Sequence, residues 1–180
     1  MILLLALLAA QAEEAPRRDA FSKTFKEKDP ERRVEALRTL GSAKEGKTVA
    51  LAIAALKDPS PKVRTAAAEV LGTAQDPDAS AIRPLCDVLR ASKEDAGVRL
   101  AAARSLVAMP YRHDAIDALI AALASPPAES TNFAADVANL LRSLSGQDFG
   151  LSLPKWRAWW AERRNGVSRE DAEKRAKRGR

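Results

Sequence analysis

The chain has 180 residues, enough for one domain with a sizeable core. Its aromatic content is 4%, and alanine and leucine dominate, a composition that favours short, closely packed helices over a β-sandwich or barrel. The net charge of +6 points at first to an acidic partner, but residues 161–180 hold eight basic and four acidic side chains, so the rest is nearly neutral. A single cysteine excludes an internal disulfide.

The first twelve residues have the pattern of a secretory signal. Residues 2–10 form an uninterrupted apolar run, shorter than the ~20 residues needed to span a bilayer, and Ala10-Gln11-Ala12 offers a small-residue cleavage site. We therefore predict a signal peptide over 1–12 and an exported mature chain, periplasmic or extracellular, without membrane attachment. No Lys or Arg precedes the run, so an uncleaved apolar first helix or a misplaced start codon remains an alternative.

Residues 13–28 are predicted to form an N-terminal capping helix. Phe21 and Phe25 are four residues apart and lie on one helical face, just before Asp29-Pro30. An end of a repeat stack exposes an apolar face that must be covered. We expect the two phenylalanines to cover it.

Residues 29–145 contain an internal repeat. The first helix of the repeat, the A helix, has a similar sequence in three copies. Segment 97–107 matches 62–72 at an offset of 35, and 64–72 matches 33–41 at an offset of 31. Asp29-Pro30 and Asp58-Pro59 predict helix starts. Gly41 and Gly72 are interpreted as helix stops in left-handed backbone.

The second helix of each unit, the B helix, carries three apolar columns at offsets of 33 and then 34 residues. Such a period with apolar residues at helical spacing predicts a helical solenoid. The single cysteine occupies a place that isoleucine fills in the other units, so we expect it to be buried and inert. The columns are Val49/Ile82/Ile116, Ile53/Cys86/Ile120 and Leu56/Leu89/Leu123.

The spelling Asp-Pro, Val-Arg, Ala-Ala and Leu-Gly over about residues 29–124 resembles the HEAT repeat, and more narrowly the short bacterial HEAT-like repeats also found in phycobilin lyases. The resemblance implies an all-α fold: a short right-handed α-solenoid of helix pairs, capped at both ends. It also implies that the B helices line a concave face. By this alignment the B helices are Lys47–Lys57, Ala79–Arg90 and His113–Ala124.

A fourth A-type helix is predicted over Asn132–Ser145, ended by Gly146. Residues 146–162 then form a cap in which Trp156, Trp159 and Trp160 share one stripe of a short helix. This segment resembles the closing segment of some exported bacterial HEAT-like proteins. We interpret the stripe as a lid over the last repeat, with a stacking platform for bases or a sugar as the alternative. Residues 163–180 form a basic charged tail.

Chemistry-bearing residues are few. The single histidine, His113, lies near Asp114 and Asp117, but with Cys86 buried the usual ligands of a closed zinc site cannot be assembled. Glycine-rich phosphate loops and paired carboxylates in a buried setting are also missing from the pattern. We therefore expect no cofactor, no metal and no catalytic residue.

Arg64 and Arg99 occupy equivalent places in their A helices. A repeated arginine in a stack typically bonds carbonyls or an acidic group of the neighbouring unit, so we expect a structural role with Asp58 as a partner.

The B-helix positions that the columns leave free are the candidates for recognition, because solenoids bind on their concave faces. Among them we take four charged residues as the candidates: Arg83, Asp87, Asp114 and Asp117. The leading hypothesis is a non-catalytic module for protein binding or scaffolding. One alternative is nucleic-acid or polyanion binding through the basic tail, on a likeness to HEAT-like DNA repair glycosylases. The other is a bilin lyase-type enzyme, suggested by the repeat subtype alone. We do not expect nucleic acid as the partner, because the concave face lacks a basic stripe.

Overall fold

The computed structural model describes residue 23 and the ranges 25–42, 48–74, 79–110 and 112–164. Within these ranges the regular structure is helical and contains no strand. The predicted signal peptide, most of the predicted N-terminal capping helix with Phe21, and residues 165–180 of the tail lie outside the described residues. None of the described helices is long and apolar enough to cross a membrane.

Two classes of helix alternate along the chain. The A helices are α1 (Pro30–Ser42), α3 (Pro61–Thr73), α5 (Ala96–Ala108) and α7 (Phe133–Ser145), and the B helices are α2 (Thr48–Ala55), α4 (Ile82–Arg90) and α6 (Arg112–Leu123). A last helix, α8, spans 153–164. The observed B helices begin and end within a few residues of the predicted ones.

The helices form a stack of repeats. Each A helix contacts the next A helix, and α4 contacts α6 in the same way. Each B helix packs more extensively against the A helix that follows it than against the one before it. The architecture is therefore an all-α solenoid in which neighbouring repeats share a continuous core.

The three apolar columns are confirmed as core, with Ile53 the one member that is partly exposed. Cys86 is buried among them, as predicted. A fourth column, Ala52/Leu85/Leu119, repeats at the same offsets and is fully buried at all three positions. It was missed because alanine at Ala52 hides an apolar position that leucine fills in the next two units.

Gly41 and Gly72 lie one residue before the ends of their helices, but the predicted left-handed backbone at these glycines is wrong. Both lie inside helices, and neither is among the residues with positive φ. A Cβ on Gly72 would lie 2.6 Å from Ser105 Oγ and 2.9 Å from Ser105 Cα, so α3 and α5 approach too closely there for any side chain. Ser105 Oγ also donates a hydrogen bond of 2.7 Å to the Ala68 carbonyl. Here glycine serves helix packing, not chain reversal.

The third glycine position behaves as predicted. Gly146 follows α7 with φ of 72° and its N–H donates to the Arg142 carbonyl, a left-handed helix end. The predicted start at Asp58-Pro59 is displaced, because Ser60 precedes α3 and Pro61 occupies its first turn.

Equivalent arginines of three A helices join successive repeats. Arg33 Nε and Nη2 both donate to the carboxylate of Asp58 at 2.9 Å, and its Nη1 donates to the carbonyls of Glu27 and Lys28. Arg64 donates to the Asp58 carbonyl at 2.8 Å and to both oxygens of Glu94. Asp58 is thus a partner of Arg64 through its backbone, and of Arg33 through its side chain, a pairing that the sequence did not suggest.

The Arg33–Asp58 pair is buried, with 8% and 4% of the two side chains exposed. Burial works against ionisation of Asp58, but hydrogen bonds from Arg33 and the Ser60 N–H outweigh it and lower the pKa of this carboxyl. The same hydrogen bonding raises the pKa of Arg33. Both groups are charged in the folded chain.

At the third joint, the arginine forms no ion pair or hydrogen bond with a carboxylate of the described residues. Arg99 is fully buried, and its Nε and Nη1 donate to the carbonyls of Leu89 and Ser125 at 2.9 and 3.0 Å. Its guanidinium lies 4.5 Å from the centre of the Phe133 ring, and burial lowers its pKa. Nη2 has no hydrogen-bond partner within the described ranges. Backbone carbonyls and an aromatic face replace the acidic partner at this joint.

Candidate functional site

The solvent-facing side of the B helices, here called the B-helix face, changes character along the stack. On α2 it consists of Ala50 and Ala54, which are exposed, with Leu51 and Ile53 partly exposed beside them. All eight residues of α2 are uncharged. The first third of the face is therefore an apolar surface of small side chains.

Two of the predicted recognition residues lie next along this face. Arg83 and Asp87 are both exposed and occupy successive turns of α4, with the partly exposed Pro84 and Val88 between and beyond them. Neither side chain has an ion pair with another described residue. They are the charged groups of α4 that remain available to a partner.

Asp114 and Asp117 lie on α6 and differ from each other. Asp114 is exposed in the first turn of the helix. Asp117 is partly exposed and accepts three hydrogen bonds, from Arg90 Nη2 at 2.9 Å and from Trp160 Nε1 and Arg164 Nη1 at 3.3 Å. Asp117 forms no ion pair with Arg83, because its carboxylate is engaged by Arg90 and by two side chains of α8.

Arg90, Arg157 and Arg164 are surface groups that the sequence analysis did not single out. The sequence does contain a pattern that could have identified Arg157 and Arg164. The spacing i, i+3, i+4, i+7 of one helical face is present at Arg157, Trp160, Ala161 and Arg164. The tryptophan stripe masked this pattern, since Trp160 belongs to both. Two residues of that face, Trp160 and Arg164, contact Asp117 on α6.

A cleft of about 530 Å³, here called the C-terminal cleft, lies between α6 and α8. The apolar residues of its lining, here called the cleft floor, are Ile120, Ala121, Trp160 and Ala161. Its rim carries charge from Asp117, Arg157 and Arg164.

A second cleft, of about 510 Å³, lies at the other end of the B-helix row. Phe25, Ala54 and Pro59 supply its apolar surface, and the exposed Lys28 and Lys57 supply positive charge beside the Arg33–Asp58 pair. Ala54 and Ala121 are equivalent positions of the first and third units, so the two clefts border corresponding places on the stack.

The three tryptophans pack against other side chains, with Trp156 and Trp160 buried and Trp159 partly exposed. Trp156 is fully buried, donates from Nε1 to the Gly150 carbonyl at 2.9 Å and meets Phe149 edge to face at 4.9 Å. Trp160 is 7% exposed and lies 4.7 Å from the His113 ring, while Trp159 stacks on Trp160 and is covered by Arg163. Their ring faces are thus occupied by other side chains, which leaves no open platform for a base.

Groups with reactive potential are constrained. Burial raises the pKa of the Cys86 thiol to about 11, so the nucleophilic thiolate is scarce at neutral pH. No cluster of three or more His, Cys, Asp or Glu side chains suitable for a metal occurs in the described part of the chain. His113 contacts Trp160, and Asp117 is held by arginines.

Comparison with protein families agrees with this architecture. A model described as HEAT repeats matches residues 18–91, and one described as PBS lyase HEAT-like repeat matches residues 98–125. The chain is a HEAT-repeat protein. The two matches divide the stack between α4 and α5 and together cover more than half of the chain. No curated protein and no solved structure matches it.

Proposed function

We propose that this HEAT-repeat protein is a non-catalytic interaction or scaffolding module that works after export and binds a protein partner on its B-helix face. The observation that carries the proposal is the contrast between α2 and α4 on that face. An apolar, uncharged strip of alanines and branched side chains on α2 is followed, on the next B helix, by Arg83 and Asp87, which have no ion pair with another described residue. Apolar area with a few unpaired charges beside it is typical of protein-binding surfaces.

A second support is what the other charges do. Arg33, Asp58, Arg64 and Glu94 bind one another or the backbone across repeat joints. Because these groups are engaged in holding the repeats together, they are not available to a partner, whereas Arg83 and Asp87 on the B-helix face are available. Repeat stacks commonly present such a surface to partners.

The test is a co-purification with two charge-swapped variants. The tagged chain is expressed in its own cells, and proteins that co-purify are quantified by mass spectrometry. Arg83→Glu combined with Asp87→Lys alters the B-helix face, whereas Glu69→Lys combined with Arg104→Glu makes the same net change at exposed positions of the A helices. We expect the first variant to lose its partner and the second to keep it. Equal retention by both variants would refute the assignment of the face.

A further inference from the structure

The C-terminal cleft has more positive charge than its acidic group can balance. Asp117 is shared by Arg90 on one oxygen and Arg164 on the other. Arg157, on the same rim, is exposed and forms no hydrogen bond or ion pair with another described residue. The lining therefore holds two arginines and one aspartate, a net charge of +1, and Arg90 approaches the same aspartate from α4.

The helix that forms one wall adds to this potential. Residues 153–164 contain four basic side chains and one acidic side chain. Lys155, Arg157 and Arg164 are exposed on α8, and the field of such a helix attracts negatively charged ligands. The cleft is therefore complementary to an acidic ligand.

The floor of the cleft indicates what kind of acidic ligand fits. It consists of Ala121, Ala161, Ile120 and Trp160, of which Trp160 is 7% exposed. Aliphatic side chains pack against such a surface, whereas a nucleobase requires an open aromatic face, and the faces of the three tryptophans are covered. A guanidinium with free donors binds a carboxylate in a two-pronged arrangement.

We propose that the C-terminal cleft binds an acidic segment of a partner protein, with Arg157 pairing with a Glu or Asp carboxylate while neighbouring aliphatic side chains pack on the cleft floor. This inference rests on the proposed function, since it supplies the chemistry of the partner. It adds a second contact region, formed by α6 and α8, to Arg83 and Asp87 on α4. Asp117 and Arg164 act as positioning residues that hold α8 against α6 and keep the cleft open.

The test uses the full chain and a fluorescein-labelled peptide in which glutamate alternates with leucine and alanine. Binding is followed by fluorescence anisotropy at physiological ionic strength, where charges more than about 8 Å apart are largely screened. The comparison peptide carries lysine in place of every glutamate. We expect saturable binding of the glutamate peptide and none of the lysine peptide.

Two variants distinguish the contribution of the cleft to peptide binding from the contribution of the overall positive charge of α8. Arg157→Glu and Lys155→Glu make the same charge change at exposed positions of one helix, but only Arg157 lines the cleft. We expect Arg157→Glu to raise the dissociation constant of the glutamate peptide about tenfold, equivalent to about 1.4 kcal/mol of binding free energy. Lys155→Glu should raise the dissociation constant by less than about threefold, because Lys155 lies outside the cleft and its interaction with the peptide is screened by solvent and salt. Circular dichroism checks that both variants remain folded.

Three results would overturn the inference: no binding of the glutamate peptide, equal weakening by both variants, or tighter Arg157-dependent binding of a labelled DNA duplex than of the peptide. Its failure is distinguishable from failure of the proposed function. If the peptide test fails but the Arg83 and Asp87 variant still loses its natural partner, the cleft assignment is wrong and the B-helix face stands. If the peptide binds as expected but that variant keeps its partner, the recognition role of α4 is wrong.

Discussion

The A helices and the B helices use their charged residues differently. On the A helices, arginines at equivalent positions reach across the joint to the next repeat, and two of them end on a carboxylate there. On the B-helix face, Arg83 and Asp87 have no such partner among the described residues, and α2 is uncharged. The difference teaches that the equivalent arginines Arg33 and Arg64 of the A helices maintain the stack, whereas Arg83 and Asp87 on the B-helix face are available for recognition.

The largest expected effect comes from the Arg33–Asp58 joint. Asp58→Asn keeps the shape of the side chain but leaves the buried guanidinium of Arg33 without a counter-charge, and such losses cost about 3–5 kcal/mol. Asp87→Asn makes the same chemical change on the exposed B-helix face and should change stability by less than about 0.5 kcal/mol. Urea unfolding of the two variants measures both. Similar losses in the two would remove the distinction between the helix classes.

The same joint predicts a dependence of stability on pH. A carboxyl whose pKa is lower in the folded chain than in the unfolded chain stabilises the fold above its unfolded value of about 3.9. Because the pKa of Asp58 is lowered, this contribution is fully present at neutral pH and is lost as the pH falls through the folded value. The melting temperature of the wild type should therefore fall more steeply below about pH 4 than that of Asp58→Asn. Parallel curves would show that the pair does not contribute in this way.

A smaller effect is expected where α3 and α5 meet. In an ordinary helix Gly→Ala gains up to about 1 kcal/mol, but a Cβ on Gly72 collides with Ser105, including its backbone. Overpacking of this kind costs about 1–3 kcal/mol, so Gly72→Ala should be net destabilising. At Gly41 the nearest obstacle is a methyl group of Val70 at 3.0 Å, and Gly41→Ala should lose less. Thermal unfolding of both variants compares them, and a more stable Gly72→Ala would contradict the close approach.

The smallest effect on stability is expected on the B-helix face itself. The variant with Arg83→Glu and Asp87→Lys alters two exposed side chains that hold no other described residue in place. Its melting temperature should stay within about 2 °C of the wild type, since surface changes of this kind are usually within about 0.5 kcal/mol. A large loss of stability would show that these charges belong to the fold and would remove them from the recognition surface.

The period of the sequence was sufficient to predict the repeats, their helices and the burial of Cys86, because apolar side chains at helical spacing have to face a core. The local sequence was misleading at Gly41 and Gly72. Glycine near a helix end favours left-handed backbone, but at these two positions the close packing of two A helices is what requires glycine. The Arg33–Asp58 pair was missed for a similar reason: its members are 25 residues apart, and no local pattern joins them.

The candidate site was predictable in its exposed part and not in its contacts. Exposure of Arg83, Asp87 and Asp114 followed from their positions between the apolar columns. The engagement of Asp117 by Arg90, Trp160 and Arg164 depends on where α8 folds back, and a repeat alignment that ends before α8 contains no information about it.

The most direct test of the central claim is photo-crosslinking from chosen positions. A photoreactive amino acid replaces Ala50 or Ala54 on the B-helix face, and Glu69 or Arg104 on the A helices, all of which are exposed. After irradiation in the protein's own cells, the account predicts crosslinked complexes with a partner from the first two positions and none from the other two. Crosslinks from Glu69 and Arg104 with none from Ala50 and Ala54 would contradict it.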